Sequence, residues 1–347
     1  MNVKVLLLCL LLPGAATAQG FAGLGAEVEG FLPVVRGASL HFPADHGAHD
    51  GYRVEWWYLT ANMTGPEGQE LGLQWTLFRL ALAPPDVEQN GWTAPYIWMG
   101  HAGLTTAGQH FSAERRARGA TGQAGVVAVP FEAWIDEWQM QALGDGIAQL
   151  SLSAGGAGFS YDVTLAAQTP LVLHGQAGFS VKSPGGQASY YYSQPRYALT
   201  GTVQIGQERI AVTGSGWLDR EWSSQPLGAD QSGWDWFSLT FDSGAQMMGF
   251  VLRGGARFSS GTWITPDGQA LPFGDGALSA EPIGPLAPGN PAPTLWHVQL
   301  PAHGVDVQVQ AVNPNAWMDA TPPYWEGPVV VTGSHDGRGY LEMTGYE

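Results

Sequence analysis

RVEWWYLTANMTGPEGQELGLQWTLFRLAL, residues 53 to 82, sets two aromatic-rich, apolar runs on either side of the breaker cluster TGPEG. In the second run Leu71, Leu73, Trp75 and Leu77 alternate with more polar neighbours, which is the period of a strand with two unlike faces. Proline and glycine between the runs preset a turn, so the stretch predicts an antiparallel hairpin.

The same rhythm recurs outward from this hairpin. AQLSLSAGGAGFSYDVTLAA is one such unit, and RYALTGTVQIGQERIAVTGSGWL turns at Gly206 and Gln207. WDWFSLTFDSGAQMMGFVLR turns at Asp242 to Gly244, and GPVVVTGSHDGRGYLEMTGY at His335 to Gly337. Short strands joined by tight polar turns predict an all-β protein built as barrels or sandwiches. With 49 glycines and 24 prolines the chain is turn-rich, yet 44% of it is hydrophobic, which argues against disorder. One stretch reads two ways: FEAWIDEWQMQAL spaces Phe131, Trp134, Ile135, Trp138 and Ala142 as a helix would, and a strand beginning near Trp138 fits as well.

Glu55-Trp56 precedes a hairpin ending in Leu77-Phe78-Arg79, and Glu221-Trp222 one ending in Val251-Leu252-Arg253. This faint repeat predicts two related β-domains divided near residue 200, at 41–200 and 201–347, after a leader at 19–40. Roughly 330 residues beyond that point of export also exceed what one core usually holds.

The first 18 residues, MNVKVLLLCLLLPGAATA, carry one early lysine, an apolar run and an A-x-A end, the pattern of a secretory signal cleaved after Ala18. The expected product is periplasmic or secreted. Cys9, the single cysteine, falls inside that signal, so disulfides, thiolate nucleophiles and cysteine metal sites are excluded from the exported chain. Loss of Lys4 leaves Lys182 as the sole lysine of a strongly acidic protein, which argues against nucleic-acid partners. No later apolar run approaches the roughly 18 residues of a membrane span.

GWLDREWSS, residues 216 to 224, places three charges between two tryptophans. If extended, it turns Trp217, Asp219 and Glu221 to one face and Leu218, Arg220 and Trp222 to the other. GWDWFS repeats the idea, with Trp234 and Trp236 facing one way and Asp235 the opposite way. A carboxyl pressed against indole loses hydration, which disfavours its charged form. Two readings stay open: ion pairs that tie strands together, or the wall of an apolar cavity with a few directed polar groups. Asp219, Asp235 and Glu221 are the catalytic candidates. Trp217, Arg220, Trp222, Trp234, Trp236, Glu55, Trp56, Trp57, Tyr58, His49 and His101 are the ligand-binding candidates.

HFPADHGAHDGYRVEWWY gathers His41, His46 and His49 with Asp45, Asp50 and Glu55. These are metal-ligand residue types, but no H-E-x-x-H or similar spacing supports a site, and local hydrogen bonding is the plainer reading. Elbow-type serine, P-loop and dinucleotide motifs are absent, so no cofactor is expected.

FPADHGAHDGYRVEWWYLT, SYYYSQPRY, GWLDREWSS with GWDWFSL, and PYWEGPVVVTG with GYLEMTGY resemble, in that order, the signature stretches of the AttH and carotenoid hydratase (CrtC)-like family. The resemblance runs from about His41 to Tyr346 and implies two lipocalin-like barrels packed together. For AttH-type members it implies an exported factor that binds or hands over a long hydrophobic ligand, lipid or isoprenoid, beside an ABC-type transport system. For the hydratases it implies addition of water to an isolated carbon–carbon double bond, with Asp219 or Asp235 as acid and the tryptophans around the cation. Hydratase-type members carry histidine and asparagine where this chain has Arg220 and Glu221, and a permanent guanidinium tends to hold nearby carboxyls ionised. The binding role is therefore the leading expectation and the hydratase the alternative.

Overall fold

The structure, a computed structural model, describes residues 21–26, 29–84, 93–284, 286 and 289–346. The export signal read at residues 1–18 lies outside the described residues.

Two antiparallel sheets account for the molecule. The first holds β1 (Val54–Thr64), β2 (Glu70–Ala81), β3 (Tyr96–Thr106), β4 (His110–Arg118), β5 (Ala124–Ala128), β6 (Phe131–Ile135), β7 (Trp138–Ala142), β8 (Gln149–Gly156), β9 (Phe159–Ala167), β10 (Val172–Leu173), β11 (Phe179–Val181), β12 (Ala188–Ile205) and β13 (Glu208–Ser223). Its order is β4-β3-β2-β1-β13-β12-β9-β8-β7-β6-β5, with β10 and β11 pairing β12. The second holds β14 (Gln231–Phe241), β15 (Gln246–Gly254), β16 (Phe258–Ile264), β17 (Ala270–Phe273), β18 (Ser279–Pro282), β19 (Leu295–Leu300), β20 (Val305–Ala311), β21 (Trp317–Met318), β22 (Tyr324–Gly333) and β23 (Gly337–Met343). Here the order is β17-β16-β15-β14-β23-β22-β20-β19-β18, with β21 on β22. Each sheet curls into a barrel or half-barrel, and the two lipocalin-like units pack together. Among the described residues no helix is long and apolar enough to cross a membrane.

The opening hairpin forms as its turn chemistry dictates. Gly65 closes on Gln69 and Gly68 on Gly65 by backbone hydrogen bonds, and β1 pairs β2 from Thr64 opposite Glu70 to Val54 opposite Leu80. FEAWIDEWQMQAL is not a helix but the hairpin β6–β7, reversed at Asp136 with φ 51°. Aspartate tolerates that left-handed conformation better than most residues, and the aromatic spacing that mimicked a helix is shared between two strands.

The division expected at residue 200 falls inside β12. β12 and β13 both belong to the first sheet, and the chain passes to the second between Ser223 and Gln231. The internal likeness accordingly lies between EWWYLT, residues 55 to 60 of β1, and DWFSLT, residues 235 to 240 of β14, whose leading acids each meet an arginine of the neighbouring strand, Glu55 meeting Arg79 at 3.6 Å and Asp235 meeting Arg253 at 3.1 Å.

Leu71, Leu73, Trp75 and Leu77 point into the first unit, whose interior is occupied by Trp57, Trp75, Trp98, Trp138 and Trp222. A separate core fills the second unit around Phe237, Met247, Trp296 and Trp325. The other faces of β1, β2 and β13 are covered as well, because β14, β15 and β23 lie against them. Tyr58, Tyr191 and Trp217 there meet Trp236, Phe250 and Tyr340 in a third cluster. The approach is close: a Cβ on Gly72 would sit 2.6 Å from Pro328 and 2.9 Å from the Tyr340 hydroxyl.

Candidate functional site

The layer between the sheets is where side chains with chemistry collect. Strand alternation sends Trp217, Asp219 and Glu221 of β13 into it, and register brings in Thr60, Tyr58 and Trp56 from β1 and Ser193 and Tyr191 from β12. From the second sheet come Trp234 and Trp236 of β14 and their neighbours Glu342 of β23 and Glu326 of β22.

Asp219 is 1% exposed and fully engaged. Tyr191 donates to Oδ2 at 2.7 Å, the Trp217 indole N–H donates to Oδ1 at 2.6 Å, and the Ser193 hydroxyl donates to Oδ1 as well. Burial pushes the carboxyl up to about 7, against those three hydrogen bonds and with the charge of Glu221 adding to the rise. Across the layer Glu342 accepts from Trp234 at 2.5 Å, and burial together with Asp219 and Glu221 lifts it to about 7. Glu326 accepts the Tyr58 hydroxyl, and burial and the charge of Glu342 raise it well above the usual carboxylate range. Lys182 lies 2.9 Å from Glu221 and over the rings of Tyr191 and Phe250. Aromatic rings close the remaining space, with Tyr58 edge-on to Trp236 at 5.3 Å and the Trp236 N–H donating to the Tyr191 hydroxyl at 3.1 Å.

A cleft of about 280 Å³ enters between the sheets, lined by the hydroxyls of Thr60, Ser215, Ser238 and Thr240, and ends at Trp217. Trp217, which lines it, is the residue whose indole N–H binds Asp219.

Other predicted residues sit elsewhere. Arg220 points to the opposite side of β13, into the first unit, where it pairs with Glu55 at 2.6 Å and lies over Trp57, 3.8 Å from its ring centroid. Arg79 approaches the same carboxylate at 3.6 Å and holds Asp50 at 2.9 Å. Burial would raise Glu55, but Arg220, His49 and Arg79 outweigh it and hold the group down at about 2. His49 stacks on Trp222 at 4.0 Å and contacts Glu55 and Asp45. Glu55, Trp57, Trp222, Arg220 and His49 thus form a clamp at one end of the first unit and do not border the inter-sheet layer.

Asp235 also faces away, into the second unit, bound by Arg253 at 3.1 Å and raised by burial to about 6. Asp219 and Asp235 therefore sit on different faces of different sheets and do not form one acid pair. The three histidines of the N-terminal motif diverge. His41 is exposed, while buried His46 bonds the Tyr192 hydroxyl at 2.7 Å and is pushed down to about 4 by burial. His101, by contrast, does reach the inter-sheet layer, bonding the Tyr324 hydroxyl at 2.9 Å.

Tyr191, Ser193, Lys182, Tyr324, Glu326 and Glu342 were not singled out from the sequence as site residues. All but Lys182 stand in SYYYSQPRY, PYWEGPVVVTG and GYLEMTGY, and a glutamate at an inward position of an aromatic strand was the available signal.

Residues 33–346 match the AttH-like family. Among solved structures, an AttH protein of Nitrosomonas europaea superposes with a TM-score of 0.79 at 32% identity, over 91% of this chain and all (100%) of that one. Kievitone hydratase from Nectria haematococca follows with a TM-score of 0.67 at 14% identity over 91% and 96% of the two chains, and CghA bound to Sch210972 with 0.52 at 10% over 84% and 88%, both likenesses of fold. No curated protein matches the sequence. With its two-barrel fold and a family match that spans nearly the whole described chain, the protein belongs to the AttH-like family.

Proposed function

We propose that the protein is an acid–base enzyme of the hydro-lyase class, acting on an isoprenoid-like alkene in the layer between its two sheets. The observation that carries this reading is Asp219: a carboxyl raised to about 7, ringed by aromatic side chains, beside a hydroxyl-lined cleft. In its neutral form Asp219 gives its proton to one alkene carbon, and the π faces of Trp217, Trp236 and Tyr58 steady the tertiary cation left on the other. Water captures the cation and returns one proton to the Asp219 carboxylate, so the acid is regenerated. The sequence-based objection, that Arg220 would keep the acid ionised, loses its force because Arg220 faces the other way and is matched by Glu55. That kievitone hydratase shares the fold shows only that the fold hosts a hydratase.

A second reading rests on a groove of about 430 Å³ lined by Phe179, Val181, Met248, Phe258 and Phe273 with Arg36 at its rim. An apolar tail with an acidic head fits that chemistry, and an exported carrier would hand such a molecule to an ABC-type transport system.

The test is incubation with acyclic carotenoids and terpenes in heavy-oxygen water. Labelled tertiary alcohol is expected, with the rate lowered about 10²- to 10⁴-fold in Asp219→Asn and unchanged in Asp235→Asn. No label from any substrate, together with a retained amphiphile in native mass spectrometry, overturns the enzyme in favour of the carrier.

A further inference from the structure

Asp219 accepts from three donors, and only one of them can turn round. The Trp217 indole N–H, 2.6 Å from Oδ1, is a donor and nothing else. Tyr191, 2.7 Å from Oδ2, takes the Trp236 N–H on its oxygen at 3.1 Å, so its own hydroxyl hydrogen is left to face the carboxyl. Ser193, which donates to Oδ1, differs because its other neighbour is a ring nitrogen. Nε2 of His174 lies 2.5 Å from the Ser193 hydroxyl, and Nδ1 of the same ring lies 2.9 Å from the hydroxyl of Thr262 on β16. A neutral imidazole carries one ring N–H, and either nitrogen can hold it.

His174, between β10 and β11, is fixed by its own backbone, whose N–H donates to the Tyr191 carbonyl at 3.0 Å and whose carbonyl accepts from Gly178 at 2.9 Å. Its ring packs on that of Tyr191, with centroids 4.2 Å apart. His174, Ser193 and Thr262 are fully buried and Asp219 is 1% exposed, so these groups are one another's hydrogen-bond partners. Burial and the charge of Lys182 push protonation of the ring well below the usual histidine range, and it stays neutral while nearby carboxyls titrate.

Two hydrogen patterns satisfy the line from Thr262 to Asp219. With the carboxyl ionised, Ser193 donates to Oδ1, the Nε2–H donates to Ser193, and Thr262 donates to the bare Nδ1. With the carboxyl neutral, its hydrogen sits on Oδ1 and is donated to Ser193, Ser193 donates to the bare Nε2, and the Nδ1–H donates to Thr262. The second pattern holds one hydrogen more than the first, supplied by solvent, and leaves no link of the line unmade. Without the reversal a neutral Asp219 would carry a hydrogen of its own among three donors, with no acceptor among the groups that bind it, and an unmade buried hydrogen bond is costly.

We propose that His174 is the positioning residue of Asp219, its tautomer switching with the charge of that carboxyl, Nε2–H beside the carboxylate and Nδ1–H beside the acid. The buried group then gains and loses its proton without orphaning a hydrogen-bonding atom. His174 touches no substrate in this scheme and is uncharged in both states. The charges that bear on the line are Lys182 on the side of the ring and Glu221 and Glu342 on the side of the carboxyl, with Tyr191 and the register partner Tyr58 as the other titratable neighbours. The switch gives the proposed hydro-lyase an acid that can cycle while buried, and it rests on that reading for its purpose, though not for its test.

The test uses the full chain without substrate, labelled with nitrogen-15 histidine. Ring nitrogens with and without a hydrogen differ widely in chemical shift. His174→Gln identifies the His174 pair by its loss, and if that variant fails to fold, Thr262→Val marks the pair by shifting Nδ1. Burial raises Asp219 to about 7, so the wild type is expected to show Nδ1–H at pH 5 and Nε2–H at pH 9. Asp219→Asn keeps an oxygen for Ser193 and Trp217 and cannot ionise, so its His174 is expected to remain Nε2–H at both. Glu342→Gln, which removes another carboxyl raised to the same range, is expected to leave the swap in place. One tautomer throughout in the wild type or in Glu342→Gln, or a swap that persists in Asp219→Asn, overturns the switch. Alkene hydration that depends on Asp219 beside an unchanging tautomer leaves the enzyme reading standing without it. A swap in a protein that hydrates no alkene upholds the switch and defeats the enzyme reading.

Discussion

Asp219 shows how one side chain's surroundings set a property of the protein as a whole. Its folded-state carboxyl, at about 7, binds a proton more tightly than the same group in the unfolded chain. The stability it contributes is therefore full below the unfolded value of 3.8 and is lost as pH rises through about 7. Glu342, also raised to about 7, acts in the same direction and window. Glu55, held down at about 2, acts in the opposite sense: its contribution is present above its unfolded value and lost only as pH falls toward 2. Asn in place of Asp219 keeps an acceptor for Ser193 and Trp217 and never has to ionise. Asp219→Asn is accordingly expected to melt near wild type at pH 5 and to be the more stable protein at pH 8, by about 1–2 kcal/mol, in thermal unfolding followed by circular dichroism. A gap that stays constant across that range would show that Asp219 does not titrate there. This residue was legible in the sequence, since a carboxyl two positions from a tryptophan on an extended strand already pointed to lost hydration. Glu326 was not, because the phenol it meets belongs to Tyr58 of the opposite sheet, and no local pattern records a neighbour 268 residues away.

Among the elements, β13 and the segment before β1 work as a unit. Arg220 donates to the Gly47 carbonyl, the Glu55 carboxylate and the Trp56 carbonyl, while Arg79 holds Asp50, so residues 46–50 are fastened over one end of the first unit. Removing one partner of a buried ion pair leaves the other charge unmatched. Arg220→Met should cost about 3 kcal/mol in urea unfolding, and adding Glu55→Gln should recover most of it, which a double-mutant cycle reads directly. Equal loss in the single and double variants would mean that packing on Trp57, and not the charge, is what Arg220 contributes. The hairpins were readable in advance because their turn residues and period-two alternation are local properties. The strand pair β6–β7 was ambiguous because two short strands with aromatic residues at their ends imitate a helical spacing. The change of sheet after Ser223 was misplaced for a related reason: Glu221-Trp222 resembles Glu55-Trp56 in letters, whereas the acid that opens the second sheet's aromatic strand and pairs with an arginine as Glu55 does is Asp235.

At the scale of the molecule, the two units share more than a linker. Tyr58 meets Glu326, His101 meets Tyr324, and His174 bonds Thr262 at 2.9 Å, each pair reaching from one sheet to the other. Either unit alone would expose Tyr191, Trp217 or Trp236, and Glu326 would lose the Tyr58 hydroxyl that reaches it from the other sheet. Scanning calorimetry should therefore show one cooperative transition with calorimetric and van't Hoff enthalpies in agreement. Two resolved transitions would mean that the inter-sheet layer contributes little.

The alternation along β13 has a further consequence for how this chain tolerates change. Odd-numbered residues from Trp217 to Glu221 serve the acid layer and even-numbered ones the clamp, so substitutions on one side leave the chemistry of the other intact. Insertion or deletion of a single residue is different, because it would exchange the two sets at once, delivering a guanidinium to the inter-sheet layer and an unmatched carboxylate to the tryptophan-filled interior. A change of length in β13 is thus expected to disrupt both faces, where a change of side chain disrupts one.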